Sequence, residues 1–120
     1  MTRLPVTKTP KPYVGGAFIR SESGRVFAAH DARGAFFANI PQCSRKDLRN
    51  AVEAAAKAGP GWARRTPYNR GQILYRLGEM LEARSAEMAA TLVRFGAARA
   101  AAAREVAASV DRLVHYAGWA

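Results

Sequence analysis

The stretch "EVAASVDRLVHYAGWA", Glu105 to Ala120, decides how the rest of the sequence is read. Val106, Val110, Leu113, Val114 and Ala117 recur at the three- and four-residue spacing that puts side chains on one face of an α-helix. Just ahead, "AARAAAARE" (Ala97 to Glu105) is alanine-rich and favours helix with little help from packing. The stretch is therefore a helix with one apolar side that needs a neighbour. It runs into an aromatic end at Tyr116 and Trp119 with no polar stop.

Upstream, the helical period continues. Thr66 followed by Pro67 is a start signal, because proline at the first helical position gives up no hydrogen bond that would have formed. Ile73, Leu74, Leu77, Met80 and Leu81 make the stripe of that helix, and a continuation or second helix adds Met88, Leu92 and Val93 before Gly96. Ser44 with Asp47 three residues on resembles a capping box with the shorter acid. Leu48, Val52, Ala55 and Ala56 form the apolar face of the helix it opens, Gly59 is expected to stop it, and "GPGW" (Gly59 to Trp62) reads as a loop.

Before Ser44 the pattern is that of strands. "YVGGAFI" sets Val14 and Phe18 around Gly15 and Gly16, a dipeptide that tolerates positive φ and closes a tight hairpin. "SESG" (Ser21 to Gly24) is turn chemistry, "RVFAAH" alternates, and "HDARG" (His30 to Gly34) turns the chain again before "AFFANI". Pro5, Pro10 and Pro12 make residues 1–12 an extended arm. The organisation expected is that arm, then a unit over 13–120 built of two small β-hairpins followed by three or four α-helices.

Composition narrows the function classes. The chain has 120 residues, one domain or less, and its 49% hydrophobic content is raised by alanine, which buries little surface. A formal net charge of +10 makes nucleic acid the first partner to weigh. The charge is spread, however, at +4 over residues 1–20 and +2 in each of 21–50, 51–87 and 88–120. No segment concentrates it into the stripe a phosphate backbone requires, so nucleic acid is not the expected partner. No apolar run approaches a membrane span, the basic N-terminus is broken by prolines, and one cysteine forms no intramolecular disulfide. A reduced cytoplasmic setting is expected.

Few residues offer chemistry. Cys43 precedes a capped helix, an environment that can activate a thiol, but no partner base is identifiable and it reads as a small half-buried side chain. His30 falls in a turn and His115 in a helix beside Tyr116, and both read as surface or packing residues. Glu79 and Glu82 beside Arg76 read as a solvated helix face. Neither "YVGGAF" nor "GPGW" has the spacing of a phosphate cradle. Spacing alone supplies no catalytic residue.

The order hairpin, hairpin, capped helix, "GW", proline-initiated helix and "YAGW" resembles the N-terminal portion of the aldehyde dehydrogenase superfamily, over about Tyr13 to Ala120. "YVGGAFIRSESGRVF", "HDARGAFFANIPQCSRKDLRNAVEAAAKAGPGW" and "TPYNRGQILYRLGEMLEAR" are similar to its opening strands, second hairpin with first helix, and second helix, and "EVAASVDRLVHYAGWA" is the most specific piece. "YNRGQILY" is closer to the subgroup found beside, or fused to, a second dehydrogenase unit. The resemblance implies an α/β fold of which this chain holds the first, cofactor-side part, without the dinucleotide-binding sheet. Complete members oxidise an aldehyde through a cysteine nucleophile, with NAD or NADP taking hydride and a glutamate assisting release of the acid.

By that resemblance the catalytic and cofactor positions all follow "YAGW", and Cys43 matches none of them. A truncated or fragmentary, inactive segment is the expectation, with no cofactor held by this chain. The alternatives are a non-catalytic piece that docks on a companion dehydrogenase or self-associates, and a small basic nucleic-acid module. Family members also place a structural cation near the turn matching His30 and Asp31, with an acid just before the glycine matching Gly96. Here Arg94 and Phe95 stand there, a guanidinium repels a cation, and no metal is expected. Counting back from Trp119, the resemblance puts Arg104 and Ala108 on a helix face lining the substrate tunnel.

Overall fold

The computed structural model describes residues 9–120, so the arm expected over 1–12 lies outside the described residues through position 8. The chain divides into two compact units, Met1–Pro60 and Gly61–Ala120. The first begins with β1 (Tyr13–Val14) and β2 (Ala17–Phe18), which pair antiparallel around Gly15 and Gly16. Both glycines sit in the left-handed region, at φ 62° and 83°, as a two-residue hairpin turn of this hand requires. The Tyr13 and Phe18 rings meet edge to face at 5.1 Å across the pair.

The second hairpin joins β3 (Val26–His30) to β4 (Phe36–Pro41), with Phe27 opposite Ile40, Ala29 opposite Ala38 and an irregularity between Ala29 and His30. Its turn is closed by Asp31, whose Oδ1 accepts from the backbone N–H of Arg33 at 2.8 Å and of Ala35 at 2.9 Å. His30, read from sequence as a turn residue, is the last residue of β3, and its ring packs edge-on against Phe36.

Then comes α1 (Arg45–Ala63), opened by the predicted box: Ser44 N–H donates to Asp47 Oδ2 at 2.8 Å, and Asp47 N–H donates to Ser44 Oγ at 3.2 Å. Asp47 does more than cap. It is 6% exposed, and it also accepts from Ser21 Oγ at 2.6 Å and from Glu22 N–H at 3.3 Å. The turn Ser21–Gly24 is thereby fastened to the start of α1. A carboxylate out of water needs such donors, and the Ser21 hydroxyl is the largest of the influences that hold Asp47 below the ordinary carboxylate range.

The helix does not stop at Gly59. It continues through Pro60 and Gly61 to Ala63, so the expected "GPGW" loop is helical. The alanines at 54, 55, 56 and 58 carry strong propensity into this segment, and proline near a helix end forfeits a single bond, to the carbonyl of Ala56. The stop comes later, where Arg70 donates from one guanidinium nitrogen to the carbonyls of Ala63 at 3.3 Å and Arg65 at 2.6 Å. Leu48 and Val52, on the apolar face read along α1, are exposed.

The second unit holds α2 (Pro67–Ala83), α3 (Ser85–Arg94) and α4 (Arg99–Ala117), with α2 and α3 both packed on α4. Thr66 caps α2 as its sequence predicts, its hydroxyl accepting from Asn69 N–H at 3.2 Å. The seam differs from the expected stripe. Ile73, Leu77 and Met80 are exposed, Leu74 and Leu81 are half-buried, and the buried residues of α2 are Gly71 and Gly78. Across from them α4 contributes Ala102, Val106, Leu113 and Ala117, while Val114 lies open. Small residues bring the helices together here, so the large ones are left outside the contact.

An alanine at position 71 would set its Cβ 2.5 Å from the carbonyl oxygen of Ala117, whereas one at Gly59 would meet nothing within 4 Å. Gly71→Ala is therefore expected to cost about 1–3 kcal/mol through forced backbone movement. Gly59→Ala should gain about 0.5–1 kcal/mol from helix propensity. Chemical denaturation followed by circular dichroism checks both, and equal effects of the two changes would contradict the seam.

The lowered pKa of Asp47 sets a sign. Its contribution to stability is present above the ordinary carboxylate pKa and is lost as pH falls through the lower, folded value. Titrating stability from pH 6 to 2 should show a component lost below pH about 4 that Asp47→Asn lacks, the variant being weaker already at neutral pH. Parallel profiles for the two proteins would refute the role given to this carboxylate.

Candidate functional site

Among the described residues each side chain with possible chemistry has a definite place. Cys43 lies between β4 and α1 and is exposed, not half-buried as its position before a helix suggests. Gln42 N–H is tied to the Arg25 carbonyl at 2.9 Å, and past that anchor the chain turns outward into the cap. Among the described residues Cys43 makes no hydrogen bond to a histidine or carboxylate, and the nearby acid, Asp47, is taken by Ser21 and Ser44. His115 belongs to the other unit, its ring edge-on to Tyr116 and tilted against Trp119 at centroid distances of 5.1 and 6.3 Å. Arg76 and Glu79 form an exposed ion pair at 3.2 Å, in keeping with a solvated face.

Arg104 and Ala108 are one turn apart on α4, on the side away from Ala102 and Val106. Arg104 is exposed and Ala108 half-buried. Arg94 ends α3, and Phe95 follows it 59% exposed, ahead of Gly96 at φ 106°. No group of three His, Cys, Asp or Glu side chains gathers among the described residues. None of the described helices is long and apolar enough to cross a membrane.

What the second unit does present is apolar surface arranged by the glycine seam. A groove of about 650 Å³ runs where the start of α2 meets the end of α4, lined by Pro67, Tyr68, Gly71, Tyr75, Val114 and Ala117. Tyr68 and Trp119 are 75% and 78% exposed, so most of each ring faces solvent. The sequence carried a signal for this surface that periodicity of large residues misses: Gly71 and Gly78 are seven apart, hence on one helix face.

The sequence profile described as the aldehyde dehydrogenase family matches residues 18–120. The chain belongs to the aldehyde dehydrogenase family. A betaine aldehyde dehydrogenase of Mesorhizobium japonicum is 38% identical over 82 residues, which are 68% of this chain and 17% of that protein. A 2-aminomuconic semialdehyde dehydrogenase of Bos taurus is 35% identical over 78 residues, 64% of this chain and 16% of that protein. The solved NAD+ complex of an aldehyde dehydrogenase from Bacillus cereus superposes with a TM-score of 0.88 at 25% identity, covering 93% of this chain and 24% of that one. Two hairpins and four helices are thus the N-terminal part of the aldehyde dehydrogenase fold, about a quarter of the length of the solved chain.

The family uses NAD(P), but the described residues do not fit a dinucleotide. That ligand is held where a parallel strand feeds a glycine-rich turn into a helix. Both sheets here are two-stranded and antiparallel. The start of α1 is filled by its own Asp47 and that of α2 by Thr66, while α3 follows α2 directly through Arg84 and no strand leads into α4. No step of aldehyde oxidation is assigned to this chain's residues.

Proposed function

We propose that this chain is the opening segment of an NAD(P)-dependent aldehyde dehydrogenase, contributing scaffold to an enzyme that oxidises an aldehyde to a carboxylic acid, and that it is inactive by itself. The observation that carries the reading is the pairing of a family match over residues 18–120 with helix faces left apolar and open, Ile73, Leu77, Met80 and Val114 among them, and Trp119 open just beyond α4. In this reading those faces are covered by later segments of a dehydrogenase subunit. Without such cover, copies of the chain cover one another, since contiguous apolar surface of this kind drives association.

Activity and association test the two halves of the proposal. The purified 120-residue chain, given aliphatic and aromatic aldehydes with NAD or NADP, should show no turnover and no saturable cofactor binding. Turnover abolished by Cys43→Ser would overturn it. Sedimentation over a hundredfold concentration range should show growing assemblies with strong hydrophobic-dye binding. A monodisperse monomer with a sharp melt and no dye binding would instead indicate a self-sufficient small domain.

A further inference from the structure

We propose that the first unit carries a binding site for a compact multivalent anion, a phosphorylated or polycarboxylate small molecule, in the pocket bounded by Lys11, Arg20 and Arg25. This goes beyond the dehydrogenase reading and does not depend on it. The pocket has a volume of about 340 Å³, in the range of small-ligand sites, and its remaining wall is largely apolar, with Ile19, Val26 and Pro41. No acidic residue lines it. The three cations are separated along the sequence and are brought to one cavity by the backbone. Ile19 N–H donates to the Pro12 carbonyl at 2.9 Å, Gln42 N–H to the Arg25 carbonyl at 2.9 Å, and Ser23 Oγ to the Gln42 carbonyl at 2.6 Å.

The acids that might neutralise them are engaged elsewhere. Glu22, in the turn between Arg20 and Arg25, accepts from Ser44 Oγ at 2.7 Å and pairs with Lys46 Nζ at 3.3 Å. Asp47 is taken up by Ser21, Ser44 and the Glu22 N–H. Among the described residues none of Lys11, Arg20 and Arg25 makes an ion pair. Two arginines and a lysine lining one cavity suit phosphate or carboxylate oxygens, which a guanidinium binds in pairs.

Titration calorimetry on the full chain at low ionic strength, with pyrophosphate in one arm and citrate in the other, tests the proposal. Saturable one-site binding of either anion is expected, and the tighter arm names the source chemistry. The double variant Arg20→Gln/Arg25→Gln should weaken it at least tenfold. Arg99→Gln, which removes a charge from the second unit, should change it less than twofold, separating a site from general attraction to a basic chain. All three substituted positions are exposed, and folding of the variants is checked by circular dichroism. The site is disproved if neither anion binds saturably, if the double variant binds as wild type, or if Arg99→Gln weakens binding as much as the double variant.

Discussion

The approach of α2 to α4 at Gly71 is the constraint on which the second unit depends. A side chain of even one carbon there would intrude on the Ala117 carbonyl, so the helices meet backbone to backbone at that end. At Gly78 the separation has opened enough that a Cβ would make ordinary contacts at 3.5 Å with Leu113 and Val114. The seam is tightest where the chain reaches Ala117, and that holds the start of α2 beside the aromatic end of α4. Tyr68, Tyr75 and Trp119 are outside the contact for the same reason: two backbones in close contact leave no space between them for rings. The groove is the product of small residues, although large ones line it.

In the first unit the comparable role falls to a charge. Asp47 gathers Ser21, Glu22 and Ser44 around one carboxylate and so ties a turn to a helix start across 26 residues of sequence. Its hydrogen bonds are to an ionised acceptor and are stronger than neutral ones, while Lys46, its chain neighbour, pairs with Glu22 rather than with it. The same arrangement keeps Glu22 on the helix side of the turn. Arg20 and Arg25 are thereby left around their cavity without an acid, so the capping chemistry of α1 and the basic pocket have one origin.

Short-range chemistry was legible in the sequence and long-range contact was not. The Gly15-Gly16 hairpin, the Ser44/Asp47 box and the Thr66-Pro67 start each depend on residues within four positions of one another, and each forms as read. The stop expected at Gly59 is not made there: α1 runs on to Ala63, short of Thr66, which is extended before Pro67, and Arg70 reaches back to the Ala63 carbonyl. The α2 stripe is a different case. Its large residues read as a face in need of apolar partners, and Ile73, Leu77 and Met80 are open as that reading implies, but the close contact made by Gly71 and Gly78 was not visible in a pattern of large residues. Asp47's reach to Ser21 was hidden because a capping acid already has a sufficient local explanation. Family membership was legible from "YAGW" and the element order, while no residue in the chain offered a catalytic site to be read.

Burial explains why so much apolar surface matters. The hydrophobic residues buried among the described ones are Ala38, Ala102 and Val106, two of them alanines. A buried Leu, Ile or Phe contributes about 1.5–3 kcal/mol, and none of that size is buried among the described residues. The exposed set, with Phe18, Phe27, Leu48, Ile73, Leu77, Met80 and Trp119, is the kind of surface whose cover would make such contributions. Helix caps and alanine propensity give these segments their local shape without a large core. In the proposed reading as the opening segment of a dehydrogenase, the elements form from their own sequence and the open apolar faces are where further surface would be set.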